Sequence, residues 1–232
     1  MGKISNFESL TVTPLRKTAL GIAEAGLSAI DTERVISKTV RLENEDLIVN
    51  NQKFSLEGEK RIFVVGIGKC SLETAGVIEK ILGDLIIDGV VVDVDVAGNK
   101  LKKIRALQGT HPLPSEANVR AMDEVLKILQ DLNEDDIVIF LISGGGSTLL
   151  CQPSGDFSYN DEANLLKTLF KSGADIREIN TVRKHLSLAR GGFLAAKAYP
   201  ARVISLISSD IPGDDIEFIA SEIGRASCRE RV

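Results

Sequence analysis

What the 232-residue sequence lacks narrows its function first. It has no tryptophan, two tyrosines and two histidines, and only 4% of its residues are aromatic. Proteins that grip single-stranded nucleic acid stack bases on aromatic side chains and gather positive charge. Here the net charge is -5, so no nucleic-acid partner is expected. No apolar run approaches the roughly 18–20 residues that a membrane-spanning helix needs. The opening MGKISNFESL has no apolar core of a secretion signal, so the expected compartment is the cytoplasm, with no membrane partner. Cys70, Cys151 and Cys228 show no CxxC spacing, which argues against a disulfide framework or a zinc site. Internal repeats and low-complexity linkers are also missing.

What is present is an alternation of apolar strands and amphipathic helices. In residues 13–30, Leu15, Ala19, Ile22, Ala23 and Leu27 lie near one helical face. Asp31 is placed to cap a second helix running to Val40. LIVNNQKFSL reads as a hairpin turning at Asn50 and Asn51. RIFVVGIG (61–68), GVVVDVDV (89–96), DIVIFLIS (136–143) and ARVISLIS (201–208) are short continuous apolar runs, the pattern of buried parallel strands. Ser71 is expected to cap a helix to about Leu82. Ser115 opens a helix with Val119, Met122, Leu126 and Leu129 on one side. Asn160 caps another, with Leu165, Leu166, Leu169 and Phe170 as its stripe and Gly173 as its stop. Residues 179–198 give one or two helices, interrupted at Gly191 and Gly192. The fold class is therefore α/β, a Rossmann-like, mainly parallel sheet flanked by helices.

In such sheets ligands bind beyond the carboxyl ends of the strands. Three strands end in small and polar loops: Gly66-Ile67-Gly68-Lys69, Ser143-Gly144-Gly145-Gly146-Ser147, and Ser208-Ser209-Asp210-Ile211-Pro212-Gly213-Asp214-Asp215. All three are expected on one edge of the sheet. In the first, Gly66 and Gly68 permit close backbone approach, and Lys69 adds the positive charge that phosphoryl transfer requires. Neither a Walker loop nor a full dinucleotide fingerprint is spelled, since Phe63 and Ser71 stand where glycine would be needed. The second loop suits an anion nest of backbone N–H groups flanked by the hydroxyls of Ser143 and Ser147. Asp210 is the carboxylate best placed to hold Mg²⁺; Asp214 and Asp215 suit a helix cap. His111, in GTHPLPS, either contacts substrate or orders its loop. Asn180 and Arg183 are one helical turn apart, either facing an anion or forming a solvated basic face.

Taken in order, GIGK, GTHPLPS, ISGGGSTLL, GADIREINTVRKHLSLARGG and SDIPGDDIEFIAS resemble the class II glycerate kinase family. The resemblance is to its amino-terminal domain and runs from about residue 8 to Ser221. It implies ATP and a divalent metal as cofactors, D-glycerate as substrate and 2-phosphoglycerate as product. It further implies an active site in a cleft between this Rossmann-like domain and a carboxy-terminal one. The family's proposed catalytic lysine matches Lys69, and the glycine loop at 144–146 would hold substrate or phosphate. Cys70 and Thr74 depart from the family's usual alanine and methionine. After Ile219-Ala220-Ser221 the family continues differently. Here Ile223–Val232 reads IGRASCRERV, one translated frame of a common short-read sequencing adapter. The expected division is thus a domain over 1–221, a non-native tail over 222–232, and a missing carboxy-terminal domain. On that reading the chain by itself is inactive. Two other functions stay open: an NAD-dependent reductase acting on hydroxypyruvate, a reading attached to relatives within the family it resembles, for which GxGxxS and Asp93 or Asp95 leave room, and a sugar-phosphate-binding domain without turnover.

Overall fold

A computed structural model describes residues 2–210 and Ile219. The chain forms two compact units, Met1–Ser55 and Leu56–Val232. The first holds α1 (Phe7–Leu10), α2 (Pro14–Ala29), α3 (Thr32–Thr39) and the antiparallel strands β1 (Val40–Glu43), β2 (Asp46–Val49) and β3 (Gln52–Ser55). Pro14 opens α2 at the first helical position, behind the Thr13 cap, and Asp31 caps α3 by accepting from the Arg34 N–H at 3.0 Å. Asn50 and Asn51 adopt φ of 47° and 65°, the left-handed pair that a two-residue hairpin requires. The expected core face of α2 is not buried. Leu15 and Ile22 are 80% and 70% exposed, because Ile36 of α3 and the residues of β2 supply this unit's interior instead.

The second unit runs β4 (Ile62–Ile67), α4 (Ser71–Leu82), β5 (Ile86–Asp93), β6 (Ile104–Gln108), α5 (Glu116–Ile128), β7 (Ile137–Ser143), α6 (Gly146–Leu149), α7 (Tyr159–Ser172), α8 (Ile176–His185), α9 (Phe193–Lys197) and β8 (Arg202–Ser208). Its sheet has the order β6-β5-β4-β7-β8, and every neighbouring pair is parallel. Each strand of β4 and β7 is buried along its whole length, so the continuous apolar runs need no polar alternation. Phe63, Val65 and Ile67 share one face with Val90, Val92, Phe140 and Ile142, and Ala121, Met122 and Val125 of α5 pack there. At roughly 1.5–3 kcal/mol per fully buried large apolar side chain, this layer is the main stabilising element.

Four local expectations shift. Residues 104–108 form β6, an edge strand that the lysines around it obscured. β8 is also an edge strand among the described residues, with only Ile204 and Leu206 buried, because it has a single neighbour. Ser71 is the first residue of α4 rather than its cap; its hydroxyl donates to Val92 O at 3.1 Å. Ser158, not Asn160, caps α7 through a reciprocal bond set with Asp161. That phase buries Leu166 and turns Phe170 outward, 57% exposed. Gly173 ends the helix in the left-handed conformation, φ 77°.

Candidate active site

β4, β7 and β8 are adjacent and in register, with Ile67 beside Ile142 and Ser143 beside Ser208. Their carboxyl ends therefore open on one edge, and two of the loops interlock there. The Lys69 N–H donates to Gly144 O at 3.0 Å, and the Cys70 N–H donates to Ser143 Oγ at 3.1 Å. Gly68 has φ 130°, a region open essentially to glycine alone. A Cβ there would lie 2.5 Å from the Ser143 carbonyl oxygen.

The side chains converge on the glycine loop from three directions. A Cβ on Gly144 would lie 2.7 Å from Asp210 Cγ, so the Asp210 carboxylate stands directly over that glycine. On Gly145, φ 85°, a Cβ would lie 3.0 Å from Lys69 Cε and 3.2 Å from His111 Cδ2. Lys69, His111 and Asp210 thus surround Gly144 and Gly145. Burial, then the positive charges of Lys69 and Arg183, push the His111 pKa below its usual value. The imidazole is uncharged at neutral pH, which leaves Lys69 as the cation beside Gly145. Asp214 and Asp215 lie outside the described residues.

Other expected site residues occupy different places. Gly66 lies within β4, where a Cβ would lie 2.5 Å from Val91 Cγ1; it permits packing and does not line the site. Ser143 is buried and its hydroxyl accepts from Cys70. Gly146 is buried at the start of α6. Asn180 and Arg183 are 4% and 6% exposed, so neither forms a solvated basic face. Arg183 reaches the glycine loop from behind: its Nη2 donates to Ser147 O at 2.5 Å and to Glu162 Oε1 at 3.2 Å. Burial, and next to it the like charge of Arg190, lower the Arg183 pKa to about 10, still cationic at neutral pH.

Two residues that the sequence reading passed over, Asn118 and Arg190, organise this edge together with Asp93, which it named only for the reductase reading. Asn118 is fully buried. Its Oδ1 accepts from the N–H of Thr110 and of Ser115, and its Nδ2 donates to Thr110 O and Thr148 O, each at 3.0 Å. It ties the His111 loop to the glycine loop. Its signal was the third position after the Ser115 cap. Arg190 is 0% exposed and donates from Nε to Ser147 O at 2.7 Å; a lone arginine inside LSLARGG was the clue. Asp93, 3% exposed, accepts from the Leu72 N–H at 3.1 Å and from the Ser71 hydroxyl. The amino end of α4 therefore already carries an internal carboxylate.

Fold and loops together define a Rossmann-like α/β domain that presents a lysine, a carboxylate and a glycine loop on the carboxyl edge of its sheet. The chain belongs to the family described as Domain of unknown function (DUF4147), whose model matches residues 18–224. It is 39% identical over 219 residues to the glycerate 2-kinase of Picrophilus torridus, covering 94% of this chain and 50% of that protein. An Agrobacterium vitis protein named as a hydroxypyruvate reductase is 41% identical over 174 residues, 75% of this chain and 39% of that protein. The crystal structure of glycerate kinase from Thermotoga maritima superposes with a TM-score of 0.77 at 34% identity, covering 90% of this chain and 48% of that one. The chain spans about half the length of the curated relatives it matches. Among the described residues no helix is long and apolar enough to cross a membrane.

Proposed function

We propose that this chain is the amino-terminal half of a cytoplasmic kinase that transfers the γ-phosphoryl group of ATP to the 2-hydroxyl of D-glycerate. The observation that carries this reading is the gathering of Lys69, Asp210 and the glycine loop at one point on the strand ends. A transferring phosphoryl group spreads negative charge over its oxygens, and catalysis is chiefly positioning plus opposed charge. Lys69 offers its ammonium group to that charge. Gly144, Gly145 and Gly146 carry no side chain of their own, so phosphate or substrate oxygens can approach the loop's backbone between Lys69, His111 and Asp210. His111, neutral, is available to exchange a hydrogen bond with a substrate hydroxyl. Gly68 and Ser143 hold the two loops in this relation, Arg183 supports the glycine loop from beneath through the Ser147 carbonyl, and Asn180 lies buried one helical turn before Arg183.

Mg²⁺ fits the donor set in a limited way. No group of three or more His, Cys, Asp or Glu side chains gathers among the described residues, so those residues by themselves form no complete cage. Mg²⁺ needs only one or two carboxylates when phosphate and water complete its shell. Asp210, poised over Gly144, would hold it, and the ion would supply charge neutralisation to the phosphate oxygens. The remainder of the cleft is assigned to the half of the parent protein that lies outside this chain.

The reductase reading has a relative's name in its favour and Asp93 against it. In dinucleotide folds the pyrophosphate sits at the amino end of the first helix. Here the Asp93 carboxylate holds that place through Leu72, and a second anion there would meet like charge. The test is a coupled ADP assay on the intact protein, obtained by sequencing past Ser221. ADP release that depends on D-glycerate is expected, with Lys69→Met slowing it by about 10²–10³-fold, the scale of removing one preorganised charge-stabilising group. The 232-residue chain alone is expected to give no turnover. NADH consumption with hydroxypyruvate and no ADP would establish the reductase. Thermal stabilisation by D-glycerate without any turnover would establish a binding domain.

A further inference from the structure

Beneath the glycine loop lies a cluster of charge that never meets solvent. Arg183, Arg190 and Glu162 are 6%, 0% and 2% exposed. Two guanidinium groups face one carboxylate: Arg190 Nη2 donates to Glu162 Oε1 at 2.7 Å, and Arg183 Nη2 donates to the same oxygen at 3.2 Å. Both arginines also donate to a single backbone atom, the Ser147 carbonyl oxygen, at 2.7 and 2.5 Å. Arg183 reaches Thr148 Oγ1 as well, and that hydroxyl donates to Pro112 O at 3.3 Å, next to His111. Arg183 Nε and Arg190 Nη1 are buried without a hydrogen-bond partner among the described residues.

An apolar filling would stabilise the fold more simply, because burying ions and leaving N–H groups unpaired is costly. Among the described residues two guanidinium groups face one carboxylate, so the cluster keeps a net positive charge. We infer that Glu162, Arg183 and Arg190 form a buried clamp that fixes the glycine loop through the Ser147 carbonyl and holds a net positive charge behind it. The three are positioning residues: they act through the loop and touch no substrate. The charge role rests on the phosphoryl-site reading above; the fixing of the loop does not.

Two measurements on the 232-residue chain separate these roles. The amides of Thr148, Leu149 and Leu150 donate to the carbonyl oxygens of Gly145 and Gly146, so their hydrogen exchange reports loop order with no ligand present. Arg190→Met is expected to speed that exchange by at least about tenfold while β4 and β7 stay protected. Unchanged exchange overturns the clamp. Arg190→Lys, which keeps the charge and loses the fork, is the second variant should Arg190→Met fail to fold; it is expected to loosen the same amides. Inorganic phosphate titrated against the amide shifts of Gly144–Gly146 then tests the charge. Arg190→Met is expected to weaken phosphate binding about tenfold. Glu162→Gln, which removes the cluster's one anion among the described residues, is expected to tighten it. A merely structural cluster would weaken binding in both, and that outcome overturns the charge role. Phosphate binding absent from the unmodified chain, with exchange responding as expected, refutes the phosphoryl-site reading and leaves the loop-fixing role standing.

Discussion

Replacing Gly68 with alanine is the sharpest test of how the two loops interlock. Two costs add. The first is conformational: at φ 130° an L-residue is strained by about 1–3 kcal/mol. The second is steric. The new Cβ would lie 2.5 Å from the Ser143 carbonyl oxygen and 2.7 Å from its carbon, backbone atoms in the last residue of a fully buried strand that cannot swing aside. Overpacking of this kind costs about 1–3 kcal/mol. The expected loss is about 2–6 kcal/mol, which at roughly 2–4 °C per kcal/mol lowers the Tm by about 4–24 °C. Because the chain has no tryptophan, the transition is best followed by circular dichroism at 222 nm. Gly76→Ala is the control. It lies inside α4, its nearest neighbour to a new Cβ is Leu101 Cδ2 at 4.0 Å, and its φ is ordinary. The same chemical change is expected there to stabilise by about 0.5–1 kcal/mol, through helix propensity. Equal melting of the Gly68 and Gly76 variants would refute the argument that Gly68 is required by geometry.

Two further outcomes are expected. Asn118→Ala removes the acceptor of the Thr110 and Ser115 N–H groups and should cost about 1–3 kcal/mol, with new proteolytic cleavage at residues 110–115 as the readout; unaltered cleavage would remove Asn118 as the link between the loops. Asp136 sets an acid limit. Burial alone would raise its pKa, but the two Arg61 hydrogen bonds, at 2.6 and 2.7 Å, and the Asn133 N–H outweigh this and hold it below the usual carboxylate range. A depressed folded pKa gives stability that is full above the unfolded value near 4 and fades as pH falls through the folded one. Urea denaturation between pH 5 and pH 2 should therefore show a decline in stability that Asp136→Asn reduces.

The parallel strands and the shared edge of their carboxyl ends were legible because fully buried parallel strands leave continuous apolar runs. Lys69, Gly144 and Asp210 were legible because small and polar residues directly follow those runs. β6 was not: Ile104–Gln108 lies at the sheet edge, so its exposed positions carry Arg105 and Gln108 and the apolar run breaks. The burial of Arg183 and Asn180 was also hidden, since one helical turn of spacing is the same for a solvated face and for a buried one. Only tertiary packing decides between them, and here Glu162, from a different helix, draws Arg183 inward. The α2 stripe misled for the opposite reason, since an apolar periodicity states what a face can bury and not that it does so.

The bonds that join the first two loops begin at main-chain N–H groups, those of Lys69 and Cys70. Side-chain identity at 70 is therefore almost irrelevant to the join, and any residue there other than proline can donate it. The accepting side is less tolerant, because one acceptor is the Ser143 hydroxyl. Sequence change at this edge is consequently lopsided: the helix that follows Lys69 can drift, while the serine and glycines across from it cannot. The lysine keeps its position without help from its own neighbours' side chains.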